Sequence, residues 1–170
     1  SRAALKSGDE IGLQLYSDTP KSWLPASRHG GQYRRLVETL FDRHADDKPP
    51  DYAAAIHDVW CRERRRALII LMTVLEPHDG EHLRPLLRLL QQRHHVMLVN
   101  IRPPWLEDGN DSETRDAALE NAARDVYANA FAAAEARLKQ EKLIFVSARA
   151  ENLRPQLLNA YLAYKNHLRH

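Results

Sequence analysis

Two stretches of this chain are apolar almost without interruption: residues 67–75 (ALIILMTVL) and residues 96–101 (VMLVNI). A strand with one face in water alternates apolar and polar residues, whereas a strand covered on both faces reads as a continuous apolar run. Such strands belong to parallel sheets with helices on both sides. A third run, residues 143–147 (LIFVS), predicts the last strand, so the chain is predicted to have an α/β fold.

Helical patterns lie between these runs, as the long connections of a parallel sheet require. A leucine-rich helix is predicted after the turn at residues 77–80, because its apolar positions are spaced by three and four. An alanine-rich helix is predicted over residues 116–139, and a final helix from near Pro155, because proline is favoured in a first turn. The apolar side of the alanine-rich helix is predicted to carry Leu119, Ala123, Val126, Ala130, Phe131 and Leu138.

The first part of the chain predicts two more strands and two helices. Residues 11–17 (IGLQLYS) follow a polar turn, and residues 21–26 (KSWLPA) contain Pro25, which confines a strand to a sheet edge. Asp51 is well placed to cap the second helix. The whole pattern predicts a single domain over residues 1–170, built on a doubly wound, mostly parallel sheet. The helix stripes are Tyr33, Leu36, Val37, Leu40 and Phe41, then Tyr52, Ile56, Val59 and Trp60.

The charge balance argues against a general binder of polyanions. The chain has 25 basic and 23 acidic residues, a formal net charge of +2. Acidic residues, Asp58 and Glu63 among them, are interspersed among the arginines, so a salt-bridged surface is predicted and nucleic-acid binding is not. The arginines in question are Arg34, Arg35, Arg62, Arg64, Arg65 and Arg66.

The cysteine and the histidines of the chain predict neither a disulfide nor a metal site. Cys61 is the only cysteine and cannot form an internal disulfide, which favours a reducing, cytoplasmic compartment. No run reaches the roughly 18 apolar residues of a membrane span. His78 and His82 are four apart, a spacing that can share a metal on a helix, but no third ligand lies near them in sequence. A solvated helix start is the preferred interpretation, and no catalytic residue or cofactor is predicted.

Four segments resemble one known family, in the same order along the chain. They are residues 8–13 (GDEIGL), 51–55 (DYAAA), 64–73 (RRRALIILMT) and 157–165 (LLNAYLAYK). They are similar to the second-strand entry, the central signature and the terminal helix of the domain of unknown function 58 family. The resemblance implies a von Willebrand factor A-like, Rossmann-like fold.

The resemblance also implies a function and a partner. Members of this family typically occur beside a MoxR-type AAA+ ATPase in bacterial gene clusters, which implies a non-catalytic adaptor that binds protein. Full-length members usually carry membrane-spanning helices ahead of the domain, which would place it on the cytoplasmic face of the inner membrane. A small-ligand-binding protein or an enzyme that uses the same sheet edge is the alternative.

The family's central first strand is expected to be missing, because the sequence opens near the end of the helix that follows it. In this fold that strand lies between the strands at residues 11–17 and 67–75. Two rows of backbone groups would then lack their partner. We therefore expect the sheet to close up or a second copy to supply the pairing, so that a fragment of this kind is expected to form a homodimer or a higher oligomer.

The family's metal site is expected to be degenerate. Pro50 stands where the family has a serine or threonine before the Asp-Tyr pair, and Val74 stands where it has an aspartate. A hard divalent cation needs several oxygen ligands, which proline and valine do not supply. No bound metal is therefore predicted, and Asp51, Thr73 and Glu76 are remnants of the site.

The predicted partner-binding residues are Asp18, Thr73 and Trp105. Each is expected at the carboxyl edge of the sheet, where open α/β sheets bind ligands and partners. An exposed tryptophan at that edge suits a protein interface, and a tryptophan that folds back on the core is the alternative.

Overall fold

The computed structural model describes residues 2–41, 48–106 and 115–168. The chain divides into two compact units, Ser1–Arg64 and Arg65–His170. The first is built on an antiparallel hairpin and the second on a parallel sheet. Of the helices in these described ranges, none combines the length and the apolarity that crossing a membrane would require.

The first unit contains both strands that the sequence predicted there. They pair in antiparallel fashion, with Leu13 opposite Leu24 and Gln14 opposite Trp23. Gly12 lies so close to the second strand that an added Cβ would be 2.9 Å from the Ala26 nitrogen. The elements are α1 (Arg2–Lys6), β1 (Ile11–Tyr16), β2 (Pro20–Ser27), α2 (Gln32–Phe41) and α3 (Tyr52–Arg62).

Two polar side chains fix the helices of this unit, one by joining α2 to the hairpin and one by capping the start of α3. The Gln32 side chain is buried and donates from Nε2 to the carbonyl oxygens of Ile11 (2.6 Å) and Pro25 (2.9 Å). It therefore joins α2 to both strands. Asp51 caps α3 as predicted, since its Oδ1 accepts from the Ala54 N–H at 2.9 Å.

The apolar stripe of α2 is less buried than its periodicity predicted. Leu36 is buried, but Val37, Leu40 and Phe41 are exposed. The prediction that the stripe forms a single core-facing side is therefore wrong for its last turn. Amphipathic spacing indicates which residues share a face, but not how far the neighbouring element extends along the helix.

The second unit is a three-stranded parallel sheet in the order β3-β4-β5. The continuous apolar runs form these strands, as predicted, and a helix connects each strand to the next. This confirms the α/β class. The elements are β3 (Leu68–Thr73), α4 (Asp79–Gln91), β4 (His95–Arg102), a short 3-10 helix (Pro104–Leu106), α5 (Arg115–Lys139), β5 (Ile144–Arg149) and α6 (Ala150–His167).

Helices cover both faces of this sheet. On one face, Met97, Val99 and Val146 pack against α6, through residues such as Leu153 and Leu157. Alternate strand residues point to the opposite face. There, Asn100 of β4 contacts Glu135 of α5, and α4 packs on α5 so closely that a Cβ at Gly80 would lie 3.2 Å from Ala134.

Helix α6 begins earlier than predicted. It follows β5 directly at Ala150, so Pro155 lies inside the helix and not in its first turn. Because proline has no backbone N–H, the carbonyl oxygen of Glu151 loses the helical hydrogen bond that residue 155 would otherwise donate. Because β5 leads into α6 without a loop, the end of the strand determines where the helix begins. The preference of proline for first turns contains no information about that.

At the amino end of the sheet, a buried carboxylate joins α4 to the chain segment that precedes β5. Glu141 accepts from Arg84 and from Nε of Arg88 at 2.8 Å. These hydrogen bonds, Arg88 first and Arg84 second, lower the pKa of Glu141 from 4.5 to about 2. The cluster is structural, because it lies at the opposite end of the strands from the carboxyl edge.

Candidate functional site at the carboxyl edge of the parallel sheet

The three parallel strands end side by side, which gathers the segments that follow them. Thr73 of β3 lies beside Asn100 of β4, and Asn100 lies beside Ser147 of β5. Asn100 is the one polar residue inside the apolar run 96–101. Its side chain is fully buried, so it needs hydrogen-bond partners inside the protein.

Asn100 finds those partners in the loop after β3 and in α5. Its Oδ1 accepts from the Leu75 N–H at 3.0 Å, and its Nδ2 donates to Oε1 of Glu135 at 2.7 Å. Ser147 Oγ also donates to Oε1 of Glu135. We call Leu75, Asn100, Glu135 and Ser147 the Asn100 junction.

The Asn100 junction positions the edge. Both carboxylate oxygens of Glu135 are engaged, because Oε2 accepts from Nζ of Lys139 at 3.4 Å. A carboxylate that is buried and bonded on both oxygens is held in place and is not presented to a substrate. The junction therefore fixes the loop after β3 relative to β4, β5 and α5.

A turn that contains Glu76, His78 and Asp79 follows β3 directly after Leu75, and we call it the acidic turn. The Glu76 N–H donates to Oδ2 of Asp79 at 2.8 Å, and the Asp79 side chain is buried. The Glu76 carboxylate is exposed and lies 3.5 Å from Nδ1 of His78. The histidines of this turn are solvent-exposed, with the rings of His78 and His82 6.4 Å apart. The predicted solvated helix start is therefore correct except for Asp79, which turns inward.

Trp105 lies at this edge, in the short helix after β4. Half of its surface is exposed, and its ring packs on Tyr127 of α5 with centroids 5.1 Å apart. Burial raises the pKa of Tyr127, and the carboxylates of Glu76 and Asp79 raise it further. The Trp105–Tyr127 pair thus lies within the field of the acidic turn.

The residues that the family resemblance assigned to a degenerate metal site make other contacts. Asp51 uses a carboxylate oxygen to cap α3, and Thr73 makes a 3.4 Å contact through Oγ1 to the carbonyl of Val74. Pro50 and Val74 bring no side-chain oxygen. Over residues 2–41, 48–106 and 115–168, no three or more His, Cys, Asp or Glu side chains are grouped to hold a metal ion.

Asp18, the third predicted partner-binding residue, belongs to the first unit. It lies between β1 and β2, where its carboxylate contacts Lys21 and Lys48, each at 2.8 Å. Hydrogen bonds from these two lysines, Lys21 first, hold its pKa far below the ordinary value. Thr73 and Trp105 share the edge of the second unit, so the structure brings two of the three residues to one sheet edge.

The sequence did not single out the Asn100 junction. Its members are spread over residues 75–147 of the chain, and Glu135 is one charged residue in an alanine-rich helix. One signal was available. An asparagine inside a strand that is buried on both faces must find a partner, which marks residue 100 as the centre of a polar contact.

Comparison with known protein families decides the identity of the chain. The family described as "Protein of unknown function DUF58" has a model that matches residues 2–136. The chain belongs to the DUF58 family. The match confirms the family that the segments at residues 8–13, 51–55 and 64–73 indicated.

The DUF58 match ends one residue after Glu135, before β5 and α6 begin. The resemblance at residues 157–165 therefore stays a prediction. Comparison with curated proteins and with solved structures gave no match.

Proposed function

We propose that this DUF58 chain is a non-catalytic protein-interaction module, an adaptor of a MoxR-type AAA+ ATPase. It has a von Willebrand factor A-like, Rossmann-like fold and engages its partner through the carboxyl edge of the β3-β4-β5 sheet, without a metal ion. The type of ATPase is inferred from the family resemblance alone. The surface that binds it is inferred from Thr73 and Trp105, which lie at the carboxyl edge.

One observation carries the proposal: Trp105 is half exposed at the carboxyl edge although its other half is fixed on Tyr127. A tryptophan held in one orientation loses little conformational freedom when a partner covers it. Tryptophan is also among the residues that contribute most to the free energy of binding at protein interfaces. Exposure of so large an apolar ring is therefore consistent with a binding role.

The polar groups of the Asn100 junction support a binding role over catalysis. The carboxylate of Glu135 is satisfied internally, by Asn100, Ser147 and Lys139. A general base or a nucleophile would need an accessible group with a partner that activates it. A rigid edge with an exposed aromatic ring suits recognition instead.

The test is capture of the ATPase by the full-length protein from its host. We expect an AAA+ ATPase of the MoxR type to co-purify with the wild-type protein and to be lost or strongly reduced with Trp105→Ala. Leu158→Ala, on α6, is the control, because Leu158 is also a partly exposed apolar side chain but lies away from this edge. Absence of any AAA+ protein from the wild-type capture would refute the adaptor role. Equal capture by Trp105→Ala would refute the proposed edge.

A small-ligand site or an enzyme at the same edge is the second candidate. The contact of the Ser147 hydroxyl with Glu135 favours it, since a hydroxyl beside a carboxylate is a common element of polar sites. It ranks second because that carboxylate already accepts from Asn100 and Lys139. A ligand that binds there would change the amide NMR signals of Leu75 and Asn100, which a screen of small metabolites can measure.

A further inference from the structure

Helix α5 has two apolar faces, and only one of them faces the core. Ala117, Phe131, Ala134 and Leu138 are buried, whereas Leu119 and Val126 are each 71% exposed. The sequence placed Leu119, Val126, Phe131 and Leu138 on one side of the helix, and that prediction is wrong. The apolar positions span too wide an arc for a single neighbour to cover.

The exposed face of α5 has the spacing that is typical of two helices packed side by side. Counted from Leu119 to Ala136, its residues follow one another in alternating steps of three and four, through three heptad repeats. This repeat keeps one stripe of a helix facing a partner helix. Every one of them is exposed, and Asn129 alone is polar. Alanines 118, 123, 130 and 132 flank the stripe, so a second helix could approach closely. We call Leu119, Ala122, Val126, Asn129, Ala133 and Ala136 the α5 seam.

We propose that the α5 seam is a homodimer interface, in which α5 of a second copy packs antiparallel along it about a two-fold axis. An isologous interface of this kind requires a surface that is complementary to itself. The α5 seam meets this requirement in the sizes of its side chains and in its flanking charges. It is a surface distinct from the carboxyl edge proposed for the ATPase.

Side-chain sizes match in the antiparallel arrangement. Alignment of the heptads about the middle of the stripe sets Leu119 opposite Ala136 of the second copy, and Ala122 opposite Ala133. Val126 then lies opposite Asn129. Each leucine meets an alanine and not a second leucine, so the two ends of the interface are alike and the helices can pack at an even distance. A parallel arrangement would place leucine against leucine at one end and alanine against alanine at the other.

The flanking charges favour the same arrangement. Asp116, in the first turn of α5, is set beside Arg137 of the second copy, and the symmetry repeats this pair. Arg137 already donates from Nη1 to Glu81 at 2.9 Å, but a guanidinium has further donors for a second carboxylate. In a parallel pair, neither Asp116 nor Asp125 would face an arginine or lysine at the flanking positions.

Light scattering coupled to size exclusion, on the full chain over a concentration series, tests the interface. We expect a dimer, and we expect Val126→Glu to raise its dissociation constant roughly tenfold or more, because the interface would bury an unpaired carboxylate. Leu158→Glu, at an exposed position of α6, is the matched control and should remain a dimer. A wild-type protein that is monomeric throughout would overturn the proposal and leave the seam to a helix of another protein. A dimer that withstands Val126→Glu would place self-association elsewhere, for example at a sheet edge.

Cysteine cross-linking tests the direction of the helices in a Cys61→Ser background. Ala122→Cys combined with Ala133→Cys should form intermolecular disulfides, whereas Ala122→Cys alone should not. The reverse result would contradict the antiparallel arrangement. Charge reversal provides an independent check: Asp116→Arg should weaken the dimer, and the addition of Arg137→Asp should restore it. Circular dichroism establishes that each variant is folded, and ATPase capture by Val126→Glu should be unchanged.

Discussion

Asn100 donates its side-chain amide to Glu135 across 2.7 Å, and both side chains are buried. This bond joins the middle strand of the parallel sheet to the helix that crosses over to the next strand. An amide beside a carboxylate is a charge-assisted pair, which is stronger than a bond between neutral groups.

Replacement of the amide by a carboxylate should strongly destabilise the second unit. We expect Asn100→Asp to lower the free energy of unfolding by roughly 2–4 kcal/mol, because two buried carboxylates would then face each other. Urea unfolding followed by circular dichroism measures the change. Adding Glu135→Gln should recover part of the loss, since the new amide can donate to the aspartate. A neutral effect of Asn100→Asp would contradict the contact.

Glu141 should make stability depend on pH in the acidic range. Because its folded pKa, about 2, lies below its ordinary value of 4.5, its contribution is fully present above pH 4.5 and is lost as the pH falls through about 2. Glu141→Gln should cost about 1–2 kcal/mol near neutral pH and should flatten the acid limb of the stability profile. Urea unfolding over an acidic pH series measures both effects. Glu81→Gln, which breaks an exposed pair with Arg137, is the control and should leave the profile unchanged.

Gly12 should tolerate no larger side chain. A Cβ there would lie 2.9 Å from the Ala26 nitrogen and 2.9 Å from the Leu24 oxygen, closer than real Cβ atoms approach. We expect Gly12→Val to cost roughly 1–3 kcal/mol by forcing β1 and β2 apart. Gly30→Ala should be nearly neutral, since no atom lies within 4 Å of a Cβ at that position. Thermal unfolding of the two variants distinguishes these outcomes.

The pKa of Tyr127 should respond to the acidic turn. Glu76→Gln removes one of the negative charges that raise this pKa, so we expect the pKa to fall, although burial keeps it above its ordinary value. A titration of labelled tyrosine rings by NMR, assigned with Tyr127→Phe, measures the shift. Glu81→Gln should not move it. An unchanged pKa in Glu76→Gln would mean that the acidic turn lies farther from Tyr127 than the structure places it.

The sequence predicted the elements well, because their signals are local. The continuous apolar runs predicted β3, β4 and β5, and two short runs near the start of the chain predicted β1 and β2, although not their antiparallel pairing. Asp51 was recognised as a helix cap because its partner lies three residues away. Family membership also followed from short segments, which the match over residues 2–136 confirmed.

The sequence predicted less about which faces are covered and which side chains meet. The exposure of Val126 and Phe41 depends on where neighbouring elements end, and hydrophobic spacing does not contain that information. The partners of Asn100 lie 25 residues before it, at Leu75, and 35 residues after it, at Glu135. Contacts over such separations depend on topology, so they follow from the fold and not from local patterns.

The Asn100 junction forms only late in translation, because Ser147 follows its other members in the chain. Glu135 leaves the ribosome before Ser147, and the DUF58 match ends between them, at residue 136. A chain that stops at that residue has Asn100 and Glu135 but neither β5 nor α6, so one face of the sheet is uncovered and the carboxylate lacks the donors Lys139 and Ser147. Strand β5 and helix α6 are therefore added to the unit after the residues that match the family, and an expression boundary drawn at residue 136 would leave both of them out.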